Sequence, residues 1–181
     1  QGIEVTSLPG AAACITALTL SGLPTRRFSF EAFLPKEKKE RAAVLEELKN
    51  DTRTLIVYEA PHHLLGTLKE LQNALGDRRL TVCRELTKKF ETAFQTTFSE
   101  AIRYYEEQGV RGECVLVIEG RSREELVQEA QQSWEAISVE EHMEHYLSTG
   151  MDRKSAMKQV AKDRGVGKRE IYQMLLKAEN E

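Results

Sequence analysis

Long apolar runs are absent from this sequence, since no stretch approaches the roughly 18 consecutive apolar residues that a membrane-spanning helix requires. The chain opens with neither a methionine nor the pattern of a secretory signal peptide. A strand-like segment follows Gln1 almost at once, so we expect the sequence to begin inside a longer protein. These features predict a cytoplasmic protein that has no membrane partner.

Cysteine is scarce, with three residues that are widely spaced and form no Cys-x-x-Cys pair. The apolar neighbours of Cys14, Cys83 and Cys114 favour small buried side chains in a reducing compartment, with a reactive thiol as the alternative. The glycine-rich phosphate loops Gly-x-Gly-x-x-Gly and Gly-Lys-Ser/Thr are also missing.

The four histidines do not form a recognisable metal motif. His62 and His63 are neighbours that point in different directions on a helix. His142 and His145 lie one turn apart, but they lack the glutamate of a zincin and any cysteine partner. We therefore predict surface histidines and no metal site.

Charge is distributed unevenly along the chain. The formal net charge of −3 argues against a protein that binds polyanions over its whole surface, so any contact with nucleic acid is expected to be local. Glutamate dominates residues 121–149, whereas lysine and arginine dominate residues 150–181.

Hydrophobic patterns alternate between strands and helices up to about residue 120, and only helical patterns follow. This order predicts an α/β fold, a mixed sheet of about five strands with helices on both faces, over residues 1–121. A helical extension is predicted over 122–181. The predicted strands are 3–7, 28–33, 54–58, 80–83, 92–98 and 114–118. The predicted helices are 11–20, buried on all sides; 36–50, with Ala42, Ala43, Leu45 and Leu48 inward; 61–75; a helix capped by Ser99; and 122–135, 138–148, 152–163 and 167–178.

Three polar or small-residue stretches could carry chemistry. The turn at 9–13 lets a backbone approach a ligand, with close helix–sheet packing as the alternative. The basic turn at 36–41 suits a phosphate-bearing partner or is a solvated charged face. The loop at 84–91 lies at strand ends, where it is either the rim of a site for a charged substrate or a salt-bridged loop.

The tail has the spacing of a helix-turn-helix motif over 157–174. Ala161 permits a close helix crossing, Gly165 makes the turn, and Val166 and Ile171 fill the space between the helices. Lys168, Arg169 and Tyr172 are expected on the outer face of the second helix. Contact with nucleic acid and a hairpin for dimerisation or for a lid are both compatible with this motif.

Six segments of this sequence carry a resemblance because they occur in one fixed order: Ser7-Leu8-Pro9-Gly10-Ala11-Ala12-Ala13, Leu20-Ser21-Gly22-Leu23-Pro24, Phe28-Ser29-Phe30-Glu31-Ala32-Phe33-Leu34-Pro35, Tyr58-Glu59-Ala60-Pro61-His62, Arg84-Glu85-Leu86-Thr87-Lys88-Lys89 and Gly112-Glu113-Cys114-Val115-Leu116-Val117-Ile118. Together they resemble the ribosomal RNA small subunit methyltransferase I family of the tetrapyrrole-methylase-like group over about residues 1–120. The tail resembles that family's C-terminal helical extension. The family usually has glycine where this chain has Ala32, a mild departure.

The resemblance implies S-adenosylmethionine-dependent methylation of a cytidine ribose 2′-hydroxyl in small-subunit (16S) ribosomal RNA. Family members bind the cofactor between this domain and an N-terminal α/β domain, and they are commonly homodimers. This chain lacks the N-terminal domain and is therefore expected to be an incomplete and inactive fragment. By position, the resemblance assigns cofactor contacts to Pro9, Gly10, Ala12, Ala13, Glu59, Ala60, Glu85, Leu86, Thr87, Gly112 and Glu113. It assigns RNA contacts to Lys36, Lys38, Lys39, Arg84 and Lys88, and the tail adds Lys168 and Arg169.

The sequence does not identify a catalytic base; Glu85 is a candidate, and a structural role is its alternative. Two other functions stay open. A methylase of the same fold could act on a tetrapyrrole or another small molecule, because fold alone does not determine function. A non-catalytic nucleic-acid-binding module could be built around residues 157–174.

Overall fold

The structure, a computed structural model, describes residues 10–178. The predicted strand at 3–7 lies outside these residues. Two compact units divide the chain, Gln1–Arg121 and Ser122–Glu181. The first unit contains α1 (Ala13–Ser21), β1 (Phe28–Phe33), α2 (Lys38–Leu48), β2 (Thr54–Glu59), α3 (Leu64–Leu75), β3 (Arg79–Arg84), β4 (Thr92–Thr97), α4 (Phe98–Gln108) and β5 (Cys114–Ile118). The second contains α5 (Arg123–Glu135), α6 (Val139–Ser148), α7 (Arg153–Asp163) and α8 (Lys168–Ala178).

The five strands form one mixed sheet in the order β1-β2-β5-β3-β4. β1 and β2 are parallel, and the other neighbours are antiparallel. All five residues of β5 are buried, as expected for a central strand covered on both faces. The predicted mixed sheet of about five strands with helices on both faces is confirmed.

A separate hydrophobic core lies on each face of the sheet. α1 covers one face, where Ala17 and Leu18 pack with Ile56, Cys83 and Val117. The other face is covered by α2, α3 and α4, whose buried residues pack on alternate residues of β2, β3 and β5. Leu64, Leu68, Leu71, Leu75, Phe98, Ala101 and Tyr105 are the buried residues from α3 and α4. These helices fix the ends of the strands, where the candidate site lies.

The prediction that residues 11–20 form a helix buried on all sides is wrong. Ala17 and Leu18 are buried, but Ile15 and Leu20 are 46% and 39% exposed. α1 therefore packs with one side only, although its sequence is apolar all round. Gly22 ends the helix in the left-handed conformation.

The strand predicted at 28–33 is confirmed as β1, but its phenylalanines are its more exposed side chains. Phe28, Phe30 and Phe33 are 37%, 46% and 62% exposed, whereas Ser29 and Glu31 are half-buried. α1 packs mainly over β5, β3 and β4, and β1 is the edge strand beside β2. Phe28 and Phe30 lie on the α1 face of the sheet, beyond the strands that α1 covers, and Phe33 is the last residue of the strand.

Ala32 lies at a bulge in β1 and has φ +52°, a conformation that favours glycine. The glycine usual in the resembled family is thus explained by backbone geometry. Alanine in place of glycine at this position strains the backbone, because its methyl group disfavours positive φ.

Two details of the predicted helices are also wrong. Ala42 and Ala43 are exposed, and the inward side of α2 is formed by Val44, Leu45 and Leu48. The start of α4 is capped by the side chain of Thr97, which accepts a hydrogen bond from the Glu100 amide, rather than by Ser99. α3 begins at Leu64, three residues after the predicted start.

The described part of the second unit contains helices and no strand. Ser122, Ser138 and Asp152 cap α5, α6 and α7 with their side chains. α6, α7 and α8 share one core, which contains Val139, Met143, Ala156, Met157, Val160, Ala161, Ile171 and Leu175. Among residues 10–178, no helix is both long and apolar enough to cross a membrane.

The prediction of surface histidines is wrong for His142, which is completely buried. Its ring stacks on Trp134 with 3.8 Å between centroids, and its Nδ1 accepts a hydrogen bond from Arg164 Nε at 3.1 Å. The acidic character of α6 suggested exposure. The partners of His142 come from α5 and from the end of α7, so the local sequence pattern could not show them.

Candidate active site

Three strands end and two strands begin along one edge of the sheet, which we call the carboxyl edge. β1, β2 and β3 end there, and β4 and β5 begin there, because Cys114 pairs with both Glu59 and Arg84. This pairing brings together three of the segments predicted to contact the cofactor: 59–60, 85–87 and 112–113.

The start of α1 lies at the same edge. Cys14, Tyr58 and Leu86 pack together against the core beneath α1. Gly10 and Ala12 immediately precede the helix and are exposed, and no side chain caps its first turn. A Cβ atom added to Gly10 would meet nothing within 4 Å. Pro9 lies outside the described residues. The α1 side of the carboxyl edge thus presents small residues and the start of a helix to solvent.

Glu85 joins two of the predicted segments through its side chain. Its Oε1 accepts hydrogen bonds from the Glu113 amide at 3.1 Å and from Lys88 Nζ at 3.3 Å. Its own amide donates to the Glu113 carbonyl at 3.2 Å. Gly112 has φ +78°, and a Cβ atom there would lie 2.3 Å from Glu85 Oε1. The carboxylate therefore joins two loops by hydrogen bonds, which favours a structural role for Glu85 over that of a base. We call this link between Glu85 and Glu113 the latch.

Residues with left-handed backbone cluster in this loop. Glu85 has φ +50° and Thr87 has φ +63°, values that few residues other than glycine adopt. Strained conformations of this kind persist where the surrounding structure enforces them, and they concentrate at functional sites. The loop is therefore a candidate for ligand contact on its own geometry.

Glu59 turns away from α1 and toward α3. It is 7% exposed, and its carboxylate accepts hydrogen bonds from the Ala60 amide at 2.8 Å and from Thr67 Oγ1 at 2.5 Å. Thr67 in turn accepts from Arg41 at 2.8 Å, and Arg41 pairs with Glu70 at 2.5 Å. This chain of polar contacts ties the end of β2 to α2 and α3.

An open cleft of about 760 Å³ lies on this side of the carboxyl edge, and we call it the α3 cleft. Its lining residues are Phe33, Leu34, Lys36, Arg41, Glu59, Ala60, His62, His63, Gly66, Thr67 and Glu70. The sequence placed Lys36 and Arg41 in a basic turn for a phosphate-bearing partner and assigned Glu59 and Ala60 to the cofactor, but it gave no site role to His63, Gly66, Thr67 and Glu70. Arg41 and Glu70 are distant in sequence, and only the packing of α2 beside α3 brings them together.

The lysines of the basic turn occupy different places. Lys36 lines the α3 cleft, whereas Lys38 and Lys39 are exposed in the first turn of α2. Glu37 caps that helix by accepting hydrogen bonds from the amides of Lys39 and Glu40, and these bonds lower the pKa of its carboxyl group. The local cost of cations at a helix start is thus offset by an acidic cap.

Arg84 and Lys88 have partners within the chain. The Arg84 guanidinium lies 6.0 Å from the centre of the Tyr105 ring, and its Nε donates to Thr92 at 3.3 Å. Lys88 contacts Glu85 and Glu113, and the hydrogen bond with Glu85 is the main cause of its raised pKa. Both cations therefore stabilise the loop, whether or not they also contact a phosphate.

The second unit has the helix-turn-helix geometry that the sequence predicted. Gly165 has φ +66° in the turn, Ala161 and Ile171 are buried between the helices, and Val166 is partly buried beside them. Lys168, Arg169 and Tyr172 are exposed on α8, with Tyr172 at 52%. Within residues 10–178, no cluster of three or more histidine, cysteine or acidic side chains could hold a metal ion.

Comparisons with known proteins agree with this architecture. The profile of a family described as Tetrapyrrole (Corrin/Porphyrin) Methylases matches residues 1–102. Among solved structures, a cobalamin biosynthetic enzyme, the cobalt precorrin-4 methyltransferase CbiF, shares the fold at a TM-score of 0.51 and 17% identity. That match covers 65% of this chain and 53% of CbiF. The methyltransferase CobJ matches at a TM-score of 0.50 and 21% identity, over 64% of this chain and 51% of CobJ.

Curated relatives are much closer in sequence. Ribosomal RNA small subunit methyltransferase I of Bacillus subtilis is 48% identical over 94% of this chain and 58% of its own length. Its counterpart from Halalkalibacterium halodurans is 46% identical over 95% of this chain and 59% of its own length. The counterpart from Synechocystis is 40% identical over 98% and 62%. The chain spans about three fifths of the length of these relatives. It belongs to the tetrapyrrole methylase family and is a homologue of ribosomal RNA small subunit methyltransferase I.

Proposed function

We propose that this chain is part of an S-adenosylmethionine-dependent enzyme that methylates the ribose 2′-hydroxyl of a cytidine in small-subunit (16S) ribosomal RNA. The observation that carries the proposal is the convergence of four predicted cofactor segments, from different parts of the chain, at one carboxyl edge. The names of the relatives support ribosomal RNA as the substrate.

The residues on the α1 side of the carboxyl edge fit such a cofactor. Gly10, Ala12 and Ala13 leave room for a ligand to approach the backbone, and the first-turn amides of α1 can donate to its carboxylate. The latch between Glu85 and Glu113 holds the opposite loop in place. When bound, the cofactor would supply an electrophilic methyl group on its sulfonium for transfer to the ribose oxygen. The contribution of this chain is to position both groups and to exclude water.

We also propose that the 181 residues bind the cofactor weakly and are inactive alone. A ligand held between two domains loses much of its contact area when one wall is absent. We propose that the complete enzyme is a homodimer in which each subunit also has an N-terminal domain. Localisation in the cytoplasm, where ribosomal RNA is modified, follows from the same proposal.

A chimera tests the activity directly. The N-terminal α/β domain of the Bacillus subtilis relative would be fused ahead of this chain and incubated with the cofactor and unmethylated small ribosomal subunits. Nucleoside mass spectrometry should then find 2′-O-methylcytidine with the chimera and none with the 181-residue chain. Methylation of a tetrapyrrole instead of RNA would establish the alternative function, and tight cofactor binding by the chain alone in calorimetry would refute the fragment proposal.

The tail is proposed to hold RNA without taking part in methyl transfer. Lys168 and Arg169 are exposed together on α8, and each lost phosphate contact lowers affinity and flattens its salt dependence. The double change Lys168→Ala, Arg169→Ala in the chimera should reduce the slope of log affinity against log salt by about 1.4. It should raise KM for RNA and leave kcat nearly intact.

A matched double change on the other helix controls for the loss of charge alone. Lys154→Ala, Lys158→Ala removes two exposed cations from α7 and leaves α8 unchanged. A hairpin that serves dimerisation predicts instead that the α8 double variant keeps the wild-type salt slope. That result would refute the tail proposal.

A further inference from the structure

The cofactor assignment does not account for most residues that line the α3 cleft. Tyr58 and Glu59 are consecutive in β2, so their side chains project to opposite faces of the sheet. Tyr58 packs beside Cys14 under α1, whereas Glu59 bonds to Thr67 of α3. The cleft therefore opens on the face of the sheet opposite to the α1 side. Among the described residues assigned to the cofactor, Glu59 and Ala60 line it.

Both carboxylates in the cleft have partners within the chain. The Glu59 carboxylate accepts from the Ala60 amide and the Thr67 hydroxyl, and Glu70 pairs with Arg41. Within the described residues, Lys36 has no ion-pair or hydrogen-bond partner. The Lys36 ammonium is therefore available to an anionic ligand, and the hydrogen bonds to Glu59 stabilise its negative charge without removing it.

Gly66 indicates that the cleft receives an occupant. It is the third residue of α3, it is exposed, and a Cβ atom added there would meet nothing within 4 Å. Glycine weakens a helix by roughly 1 kcal/mol relative to alanine, so packing within this chain gives no reason for it. The space above Gly66 belongs to the cleft, and a side chain would reduce the room for a ligand.

The remaining wall is aromatic. Phe33 ends β1 at the rim of the cleft, where it is 62% exposed and packs edge-on against Tyr58 with 5.7 Å between ring centroids. The rings of His62 and His63 lie 4.1 Å apart. Exposed aromatic rings beside cations are the combination with which proteins bind single-stranded nucleic acids. The volume of about 760 Å³ is in the range of sites that enclose a small ligand or a single nucleotide.

We propose that the α3 cleft receives one unstacked nucleotide of single-stranded RNA. Its base lies against Phe33 and the two imidazoles, and its phosphate lies at Lys36. The proposal rests on the proposed function, because that function supplies RNA as the substrate. It assigns base stacking to Phe33, His62 and His63, and a steric role to Gly66.

Binding of a labelled RNA to the 181-residue chain tests this assignment without requiring activity. The probe is a fluorescein-labelled single-stranded RNA of about ten nucleotides, followed by fluorescence anisotropy. Phe33→Ala should weaken binding by about 5- to 150-fold, the range for loss of one stacked base. Gly66→Leu should weaken it by about tenfold or more by filling the cleft. Lys36→Ala should reduce the salt slope by about 0.7.

Two matched variants control for changes outside the cleft. Phe28→Ala removes an exposed phenylalanine from the same strand, and Asn73→Leu adds the same side chain two turns farther along α3. Both should bind the probe as the wild type does. Gly66→Ala should raise the melting temperature by about 2–4 °C, which shows that loss of binding at this position is not loss of fold.

The outcomes separate the two proposals. Wild-type affinity in Phe33→Ala and Gly66→Leu would overturn the cleft assignment, as would a wild-type chain that does not bind the probe. Displacement of the RNA by uroporphyrin in preference to competing RNA would also overturn it. None of these results decides the proposed function, which depends on whether the chimera forms 2′-O-methylcytidine.

Discussion

The buried imidazole of His142 should make the second unit sensitive to mildly acidic pH. Arg164 Nε donates to His142 Nδ1 at 3.1 Å, so this nitrogen must carry a lone pair and the proton of the neutral ring must be on Nε2. Nε2 lies 3.4 Å from Asp163 Oδ2, which itself accepts from the Tyr146 hydroxyl at 2.5 Å. A proton added at Nδ1 would face the Arg164 guanidinium and break this hydrogen bond.

Several groups act on the His142 pKa, and their balance lowers it from 6.5. Burial is the largest cause and Arg164 the next; Asp163 opposes them, and His145 adds to the lowering. The unfolded chain therefore takes up a proton as the pH falls through 6.5, while the folded ring stays neutral until a lower pH. The free energy of unfolding should be constant above that value and fall below it, by at most about 1.4 kcal/mol per pH unit for one proton.

The single tryptophan of the chain reports on this unit alone, because Trp134 stacks on His142 at an interplanar angle of 5°. Urea unfolding followed by Trp134 fluorescence between pH 8 and pH 5 gives the free energy at each pH. The measurement should show a loss of stability that begins near pH 6.5. Lowered carboxyl pKa values, such as that of Asp152, contribute only at lower pH, below the ordinary carboxyl range.

Two variants complete the test. His142→Phe keeps an aromatic ring beside Trp134 but cannot be protonated; it should be less stable at pH 8, since Arg164 loses its acceptor, and its stability should not decline between pH 6.5 and pH 5. His145→Gln removes a nearby exposed imidazole and should keep most of the decline. An equal decline in His142→Phe and in the wild type would refute the assignment to His142.

Three further predictions concern the first unit. Gly112→Ala should destabilise the chain by more than Gly109→Ala. Both glycines have positive φ, so either alanine costs about 1–2 kcal/mol, but only the Cβ at Gly112 meets another side chain, Glu85, at 2.3 Å. Equal unfolding free energies of the two variants would contradict the latch. Ala32→Gly should be neutral or stabilising by up to about 1 kcal/mol, and Ala32→Val should be destabilising. Glycine relieves the strain at φ +52°, whereas a β-branched residue increases it. A valine variant as stable as the wild type in thermal unfolding would exclude the bulge. Burial raises the pKa of Cys83 to about 11 and of Cys114 to about 12. At pH 8 a thiol reagent should therefore label the half-buried Cys14 first. Cys83 and Cys114 should react as fast as Cys14 only in denaturant.

The secondary structure was largely predictable because its signals are local. Apolar runs identified β2, β3 and β5, and Ser122, Ser138 and Asp152 mark the starts of three helices in the tail. Errors arose where a tertiary neighbour decides the outcome. The sequence predicted the strand at 28–33, but it could not show that α1 covers other strands or that a bulge lies at Ala32.

The candidate site was predictable in its chain segments and not in its side-chain directions. The resemblance and the strand ends pointed to segments 59–60, 85–87 and 112–113, which the sheet does bring together. The hydrogen bonds of Glu85 and Glu59 depend on residues 28 and 8 positions away in the chain, so no local pattern could show that both carboxylates are occupied. The α3 cleft escaped prediction for the same reason, since α2 and α3 form it jointly.

The end of β2 connects the two proposed binding surfaces. Tyr58 lies on the α1 side and Glu59 on the α3 side, and the Ala60 carbonyl accepts the amides of His63 and Leu64 as the chain enters α3. A nucleotide in the cleft and a cofactor beside α1 would thus meet only across the carboxyl edge, where backbone and small residues allow a close approach. The Glu59 carboxylate would then act as a positioning residue, because its bonds to the Ala60 amide and to Thr67 hold this rim still. That role explains why a charged side chain is buried here with both oxygens paired inside the chain.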